Sequence, residues 1–452
     1  MTFFQRLAAF WREDLLLRSV VRNTSYLFSS NTVSMGLTFL QGLMAAALLG
    51  ARSYGLLGMI IAFASNINRL LSFRMNELVV KYGGNFLADG EKTKAAAVVK
   101  VAGISEAVTS FIAYGILLLL ARWGAAVIIK DPSSVSWIGI FGLALLANLA
   151  TETSQAVLQL GSHYRTQALL TLLQNIITVV WIGSAFIFKG GVFDVMMAYL
   201  AGKSLFGLGM LSAALYHSRS LLGEGWVKTP IRGALQWRSM ANFAISTNLS
   251  QTVNMLIRDS EVLWVGYFLT SEAAGYYKFA LAIMNVILMP ITPFIQTTFP
   301  EITRSVAKRA WGQLRSLLKR TSMIALAWTG TVAVGLLLVG RWLLGFFKGG
   351  EYLPSLPVIW LLLIGFGFAN VLFWNRSLLL AFGRPRFPLA AGSIAGLIKI
   401  MLMFLLVPKY GMMMEAALLS LYFILSIGAI TIEGLRSLKK VEMQPAEIQA
   451  AA

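Results

Sequence analysis

The chain has 452 residues, of which 57% are hydrophobic and only 13% are charged, and its mean hydropathy is +0.72. A soluble protein of this length carries roughly twice that charged fraction, so the composition excludes an ordinary soluble enzyme and indicates an all-α polytopic membrane protein. Cysteine is absent, which excludes disulfides and thiolate metal sites. The formal net charge of +19 is explained by basic loops facing an anionic leaflet, and we expect no nucleic-acid partner and no cofactor.

The chain begins with a segment that predicts an interfacial amphipathic helix, because aromatic and basic side chains alternate over residues 1–24. Apolar runs of about 20 residues then predict twelve transmembrane helices. We place these spans at 26–49, 54–77, 98–121, 135–160, 166–188, 192–216, 245–269, 274–299, 320–340, 355–382, 387–407 and 411–433. The predicted organisation is an N-terminal six-helix lobe at 25–216, a basic cytoplasmic linker at 217–244, a C-terminal six-helix lobe at 245–435 and a cytoplasmic tail at 436–452.

The distribution of basic residues predicts the orientation. An even number of spans puts both termini on one side of the membrane. When basic residues at the span ends are counted with the neighbouring loop, about 24 lie on the side of the N-terminus and about 7 on the other. Both termini are therefore expected to be cytoplasmic.

An internal repeat recurs at an offset of about 220 residues. LeuGlyAlaArgSerTyrGly at 49–55 resembles LeuThrSerGluAlaAlaGly at 269–275, and LeuLeuLeuLeuAlaArgTrp at 117–123 resembles LeuLeuLeuValGlyArgTrp at 336–342. Several matches at one offset indicate duplication of a six-span unit. Since six is even, the two lobes are expected to have parallel orientation and pseudo-symmetry about an axis along the membrane normal.

The seventh span carries a polar stripe at helical spacing, which predicts a face turned to a bundle interior or a water-filled cavity. Its members are Ser246, Ser250, Asn254, Arg258 and Glu261. The matching face of the first span carries Ser30, Ser34, Thr38 and Gln41, so the two spans are expected to line the same cavity.

Charged side chains within spans are candidate site residues, because a charge facing lipid costs on the order of 3 kcal/mol even on lenient scales. The candidate substrate-binding residues are Arg258, Arg69, Arg74, Lys278, Arg376, Lys399, Lys203 and Asn254. The candidate coupling or ion-pairing acids are Asp259, Glu261, Glu152 and Glu77. Two alternatives stay open: the bases near span ends can snorkel to the interface, and each acid can either neutralise a base or carry a coupling proton.

The chain shows no soluble-enzyme signature. It has no phosphate-binding GxxxxGK[ST] loop and no HExxH zinc motif, and its two histidines, His163 and His217, fall in short polar connections. No predicted loop is long enough to form a separate catalytic domain. We therefore expect a transporter rather than an enzyme.

At this point the residues resemble a known family. GluValLeuTrpValGlyTyrPheLeuThrSerGluAlaAlaGlyTyrTyrLysPheAla at 261–280 is similar to the acid–apolar–Gly–Tyr signature that opens the second half of bacterial polysaccharide flippases, and ProLysTyrGlyMetMetMetGluAlaAla at 408–417 matches a Tyr-Gly turn of that family. The resemblance covers about 25–435 and implies a member of the multidrug/oligosaccharidyl-lipid/polysaccharide exporter superfamily. Position 261 is commonly Asp in the family, whereas this chain has Glu261.

The resemblance implies an inner-membrane flippase that works by alternating access. Its expected substrate is an undecaprenyl-diphosphate-linked oligosaccharide, with Arg258 and Arg69 holding the diphosphate while the tail stays in lipid. Membrane lipids, polysaccharide polymerases and glycosyltransferases are candidate partners. The alternatives are a cation-coupled multidrug exporter of the same fold and a membrane-embedded polysaccharide polymerase or glycosyltransferase.

Overall fold

The protein is described here from a computed structural model, over residues 15–73, 75–231, 237–288 and 290–443. Within these ranges it is helical throughout and contains no strand, which confirms the all-α prediction. The α-helices, in chain order, are α1 (Leu15–Leu71), α2 (Met75–Leu78), α3 (Gly84–Ala88), α4 (Lys92–Trp123), α5 (Val135–Ala147), α6 (Thr151–Leu160), α7 (Tyr164–Ile187), α8 (Val192–Leu222), α9 (Trp237–Asn254), α10 (Glu261–Phe268), α11 (Ser271–Leu288), α12 (Thr292–Ala307), α13 (Trp311–Phe346), α14 (Ser355–Val371), α15 (Asn375–Ala381), α16 (Arg386–Tyr410) and α17 (Met412–Glu442).

Nine stretches of the described chain are long and apolar enough to cross a membrane. They are Thr32–Ala88, Lys92–Ile129, Pro132–Leu160, Tyr164–Ile187, Val192–Leu222, Trp311–Gly350, Ser355–Ala381, Arg386–Tyr410 and Met412–Glu442. The first of them contains two of the twelve expected spans. The expected seventh and eighth spans are helical but are not among the nine, because both are interrupted and carry polar side chains. The protein is thus a multi-span membrane protein.

The interruptions lie where the local sequence disfavours a regular helix. A π turn at Met255–Asp259 separates α9 from α10. α11 ends at Leu288 and α12 begins at Thr292, next to Pro290, while Pro300 is accommodated inside α12. Proline lacks the backbone donor that a continuous helix needs, which accounts for the break between α11 and α12.

The first helix, α1, contains a kink at Gly50, whose φ of 77° and ψ of 169° lie outside the helical region. Glycine takes a positive φ without steric cost. The backbone N–H of Ala51, just after the kink, donates to Oε1 of Glu351 at 2.6 Å, so a carboxylate caps the second half of the helix at its positive end. Residues 1–14 of the predicted interfacial segment at 1–24 lie outside the described residues. Residues 15–24 form the first part of α1, which begins at Leu15.

Two compact units divide the chain. The first comprises Met1–Leu48, Ile60–Val127 and Asp131–Met255, and the second comprises Leu49–Met59, Ile128–Lys130 and Leu256–Ala452. Helix α1 therefore contributes to both units, because its segment Leu49–Met59 packs with the second.

Within the second unit, two glycines related by the sequence repeat pack backbone to backbone. A Cβ atom at Gly55 would lie 1.8 Å from the carbonyl oxygen of Ser271, and one at Gly275 would lie 1.9 Å from the carbonyl oxygen of Ala51. Gly55 corresponds to Gly275 and Ala51 to Ser271 at the same offset of about 220 residues. The contact is reciprocal, as duplicated segments that meet about a local two-fold axis would make it.

The polar face of the first span is bonded to α7 within the first unit. The buried hydroxyl of Ser30 donates to the carbonyl oxygen of Ala168 at 3.0 Å. The amide of Gln41 donates to the backbone and side-chain oxygens of Asn175, each at 3.1 Å, and Thr38 donates to the same side chain at 3.1 Å. These hydrogen bonds join α1 to α7, whereas the sequence predicted that this face would line a cavity.

Candidate functional site

A polar cavity of about 330 Å³ lies within the first unit. It is bordered by α1, α4, α5, α6, α7 and α8. Its lining combines bases, acids, amides and hydroxyls with a few apolar side chains: Ser65, Asn68, Arg69, Ser72, Glu106, Ser110, Phe141, Ala144, Leu145, Asn148, Thr151, Glu152, Gln174, Lys203 and Phe206. Of the candidate site residues, the structure brings together Arg69, Lys203 and Glu152 here.

The cavity forms where the fourth predicted span is broken. α5 ends at Ala147 and α6 begins at Thr151. The side chain of Asn148 donates to the carbonyl oxygens of Ala144 at 2.8 Å and of Lys203 at 3.1 Å, which joins the broken span to α8. Irregular backbone at membrane depth is tolerated where it lines a polar cavity, as it does here.

The carboxylate of Glu106 is directed at the N-terminus of α6. It accepts the backbone N–H groups of Glu152 at 2.8 Å and Thr153 at 2.9 Å, and the Thr153 hydroxyl at 2.8 Å. Glu106 is only 4% exposed, and such charge-assisted bonds are strong in a buried site. Its role is therefore to cap α6 and hold the broken span to α4.

Arg69 and Lys203 are the cationic groups of this cavity. Arg69 lies in the last turn of α1 and Lys203 near the middle of α8. The carboxylate of Glu106 on α4 contacts the N-terminus of α6, and Glu152 lies in the first turn of α6, so the helix dipole partly offsets the charge of both acids. A guanidinium and an ammonium that line one polar cavity can bind an anionic group.

A second cluster of charged groups is buried in the second unit. Lys399 on α16 donates to the carboxylate of Glu261, lies 3.1 Å from Oε1 of Glu415 and donates to the carbonyl oxygen of Ile257 at 2.8 Å. Tyr277 donates to the other oxygen of Glu261 at 2.6 Å. The side chains of Lys399, Glu261 and Glu415 are each 1% exposed or less, so the cluster is sealed from solvent.

This buried cluster ties three helices together. Glu261 begins α10, Lys399 lies on α16 and Glu415 lies in the first turn of α17. Oε2 of Glu415 has no hydrogen-bond partner in the described part of the chain. Lys399 and Glu261 are thus ion-pair partners within the second unit, and removing one of them would leave an uncompensated buried charge.

The remaining candidates of the seventh and eighth spans are separated from this cluster. The side chain of Arg258 is 61% exposed and its Nε lies 3.8 Å from Oδ1 of Asp259. Asn254 is exposed. Lys278 is partly buried, with Nζ 4.0 Å from the ring centre of Tyr54, a cation–π contact.

Two predicted residues lie outside both clusters. Arg376 is exposed on α15, in the second unit. Glu77 is exposed on α2. Arg74 lies outside the described residues, so its proposed role stays a prediction.

Three partners were missed as site residues by the sequence reasoning. Glu106 is the only acid of α4, and Glu415 lies next to the apolar part of α17; both positions could have been marked, since an acid within a span needs a partner. Tyr277 gave no such signal, because a tyrosine in a spanning helix is usually an ordinary apolar contact. Its bond to Glu261 depends on how α10 and α11 pack.

The histidines stack on each other near one end of α8, within the first unit. The ring centres of His163 and His217 are 3.6 Å apart with an interplanar angle of 26°. Partial burial, and secondly the neighbouring His217, lower the pKa of His163 from its ordinary value. The two side chains are thus packed against each other rather than separately solvated.

Solved structures with a similar fold are transporters and a flippase. The chain aligns with Lipid II flippase MurJ in an inward closed conformation at a TM-score of 0.67 and 13% identity, over 92% of each chain. It aligns with a multidrug resistance MATE family transporter of the MOP superfamily, in an inward-facing conformation, at a TM-score of 0.65 and 13% identity, over 91% of this chain and 96% of the other. At such identities the likeness establishes the fold.

Sequence relatives carry names from polysaccharide biosynthesis and the inner membrane. Inner membrane protein YghQ of Escherichia coli is 24% identical over 77% of this chain and 98% of its own length. Teichuronic acid biosynthesis protein TuaB of Bacillus subtilis is 24% identical over 60% of this chain and 55% of its own length. Residues 20–306, more than half of the chain, match the family described as polysaccharide biosynthesis protein. With its helical transporter fold and its polar intramembrane cavity, the chain belongs to the polysaccharide biosynthesis protein family.

Proposed function

We propose that this protein is a flippase that moves an undecaprenyl-diphosphate-linked oligosaccharide across the bacterial inner membrane by alternating access. The observation that carries the proposal is the cavity that holds Arg69 and Lys203 among polar side chains. A guanidinium presents paired donors to phosphate oxygens, and an ammonium adds a compact positive charge. The amides of Asn68 and Gln174 suit sugar hydroxyls. Family membership and the MurJ-like fold support the same activity.

The second candidate is an exporter of organic cations, because MATE family transporters share the fold at a TM-score of 0.65. The charge of the cavity disfavours it. Arg69 and Lys203 would repel a cationic substrate, whereas the carboxylate of Glu106 accepts hydrogen bonds from the N-terminus of α6 and Glu152 lies in the first turn of that helix. A membrane-embedded polymerase or glycosyltransferase is the third candidate. The transporter fold of this chain argues against it.

Other predictions from the sequence, namely a role for Arg258 and the orientation of the chain, are kept in this proposal. Arg258, with Asp259 beside it on the π turn, stays a candidate for binding a phosphate group. The orientation proposed from the basic residues places both termini in the cytoplasm. Polysaccharide polymerases and glycosyltransferases would then act before or after the flipping step.

The test is complementation of a flippase-null strain together with binding of inorganic diphosphate to purified protein in lipid nanodiscs. We expect Arg69→Ala and Lys203→Ala each to weaken diphosphate binding by about 10- to 100-fold, since a charge-assisted hydrogen bond contributes roughly 1.5–3 kcal/mol. The double variant should abolish polymer export. Arg69→Lys should retain part of it, because the charge remains and the paired donors are lost.

The matched control is Lys189→Ala, which removes an exposed base at the end of α7, outside the cavity. It should leave binding and export unchanged. Membrane insertion of every variant is checked by blotting. Full export by an inserted Arg69→Ala/Lys203→Ala variant would contradict the proposed site.

A further inference from the structure

An apolar groove lies beside the polar cavity and belongs to the same unit. Its volume is about 240 Å³, and its walls come from α2, α4 and α9, together with Phe73 just before α2. Phe73, Met75, Leu78, Val101, Met240 and Ile245 line it. Among the described lining residues Ser105 alone is polar.

The groove and the cavity share two of their walls. Ser72 lines the cavity and the next residue, Phe73, lines the groove. On α4, Glu106 lines the cavity and the preceding residue, Ser105, lines the groove. Polar and apolar spaces thus meet along one boundary.

Helix α9 contacts residues on both sides of this boundary. Its residues Ala244 and Ile245 line the groove. One turn later, the side chain of Asn248 donates to the carbonyl oxygens of Ser72 and, at 3.5 Å, of Arg69. Helix α9 is therefore hydrogen-bonded to the cavity wall next to Arg69, the base that we propose binds the diphosphate.

We infer that the groove binds the first part of the polyisoprenoid chain of the substrate whose diphosphate lies in the Arg69–Lys203 cavity. This inference rests on the proposed function and names a second binding element for the same ligand. An amphiphile has a charged group joined directly to an apolar chain. The polar cavity suits the charged group, and the adjoining apolar groove suits the start of the chain.

The size and exposure of the groove fit a segment of chain rather than a whole lipid. Its volume is below the ~300–1,000 Å³ of sites that enclose a complete small ligand. Ile245 at its edge is 57% exposed, so the chain can continue outward from the groove. Only the part nearest the diphosphate leaves the bilayer, which differs from the expectation that the entire tail stays in lipid.

The experiment compares two soluble probes, inorganic diphosphate and geranyl diphosphate, by calorimetric titration of the full protein in nanodiscs, with empty nanodiscs subtracted. We expect geranyl diphosphate to bind about tenfold more tightly and with a more negative heat-capacity change, the signature of apolar burial. Ala241→Trp fills the groove from an exposed position. It should remove that gain while leaving diphosphate binding within about twofold.

The matched control is Asn242→Trp, an exposed neighbour on α9 that does not line the groove; both affinities should stay at the wild-type values. Ile245→Ser offers a second, smaller change with the same expected direction if Ala241→Trp is not inserted. If wild-type protein binds neither probe, the proposed function fails. If diphosphate binds but geranyl diphosphate binds no more tightly, or Ala241→Trp keeps the gain, the groove inference is overturned and an acyl chain of a membrane phospholipid becomes its occupant.

Discussion

Replacement of Lys399 by methionine should destabilise the protein strongly. The change keeps most of the side-chain volume but removes the ammonium that Glu261 and Glu415 share. Both carboxyl groups then remain at 1% exposure or less with no base beside them. Breaking a buried ion pair in this way costs roughly 3–5 kcal/mol. Because 1 kcal/mol moves the melting temperature of a folding unit of about 150–250 residues by about 2–4 °C, we expect a decrease on the order of 10 °C.

The assay is the apparent melting temperature of detergent-purified protein, followed by tryptophan fluorescence. The control Lys409→Met lies on the same helix, α16, but is exposed, and should shift the temperature by no more than about 1 °C, as surface substitutions usually do. The triple variant Lys399→Met/Glu261→Gln/Glu415→Gln removes every formal charge of the cluster and should recover most of the loss, since the uncompensated charges cause it. A single Lys399→Met variant as stable as wild type would refute the reasoning, as would a triple variant less stable than the single one.

Three further predictions follow from the fold and the sequence. Gly55→Ala should lower the apparent melting temperature by several degrees, because its Cβ would lie 1.8 Å from a backbone oxygen, whereas Gly36→Ala meets nothing within 4 Å and should not. A cysteine placed at Ser133 should react with an impermeant thiol reagent in whole cells, and one at Gly90 should not, if the proposed orientation holds. The lowered pKa of His163 means that the unfolded state binds more protons, so stability should fall as the pH decreases below about 6.5, and His163→Gln should reduce that dependence.

Each of these predictions has an outcome that contradicts it. Equal melting temperatures for the two glycine variants would argue against the close crossing. Labelling of position 90 but not 133 would reverse the orientation. The same pH profile for wild type and His163→Gln would show that other groups set the acid limit.

The sequence by itself determined the class of the protein and its helices. Long apolar runs must cross the membrane as helices, because no other open structure satisfies its backbone in lipid, and each expected span is mostly helical. The repeat was also visible in the sequence, and the reciprocal contact of Gly55 and Gly275 agrees with it. Residues 261–280 carried the family resemblance, which the family match over 20–306 confirms.

Only the tertiary structure decided which charged groups meet. The polar stripe of the seventh span was read as one continuous face, which placed Arg258 and Glu261 together. The π turn at Met255–Asp259 interrupts that register, so Glu261 is buried against Lys399, 138 residues away in the sequence, while Arg258 is exposed. Likewise Arg69 and Lys203 share a cavity although they lie on helices far apart in the chain. Helical periodicity depends on neighbouring residues and can be read from them, whereas the pairing of distant side chains depends on how each helix is broken, rotated and packed.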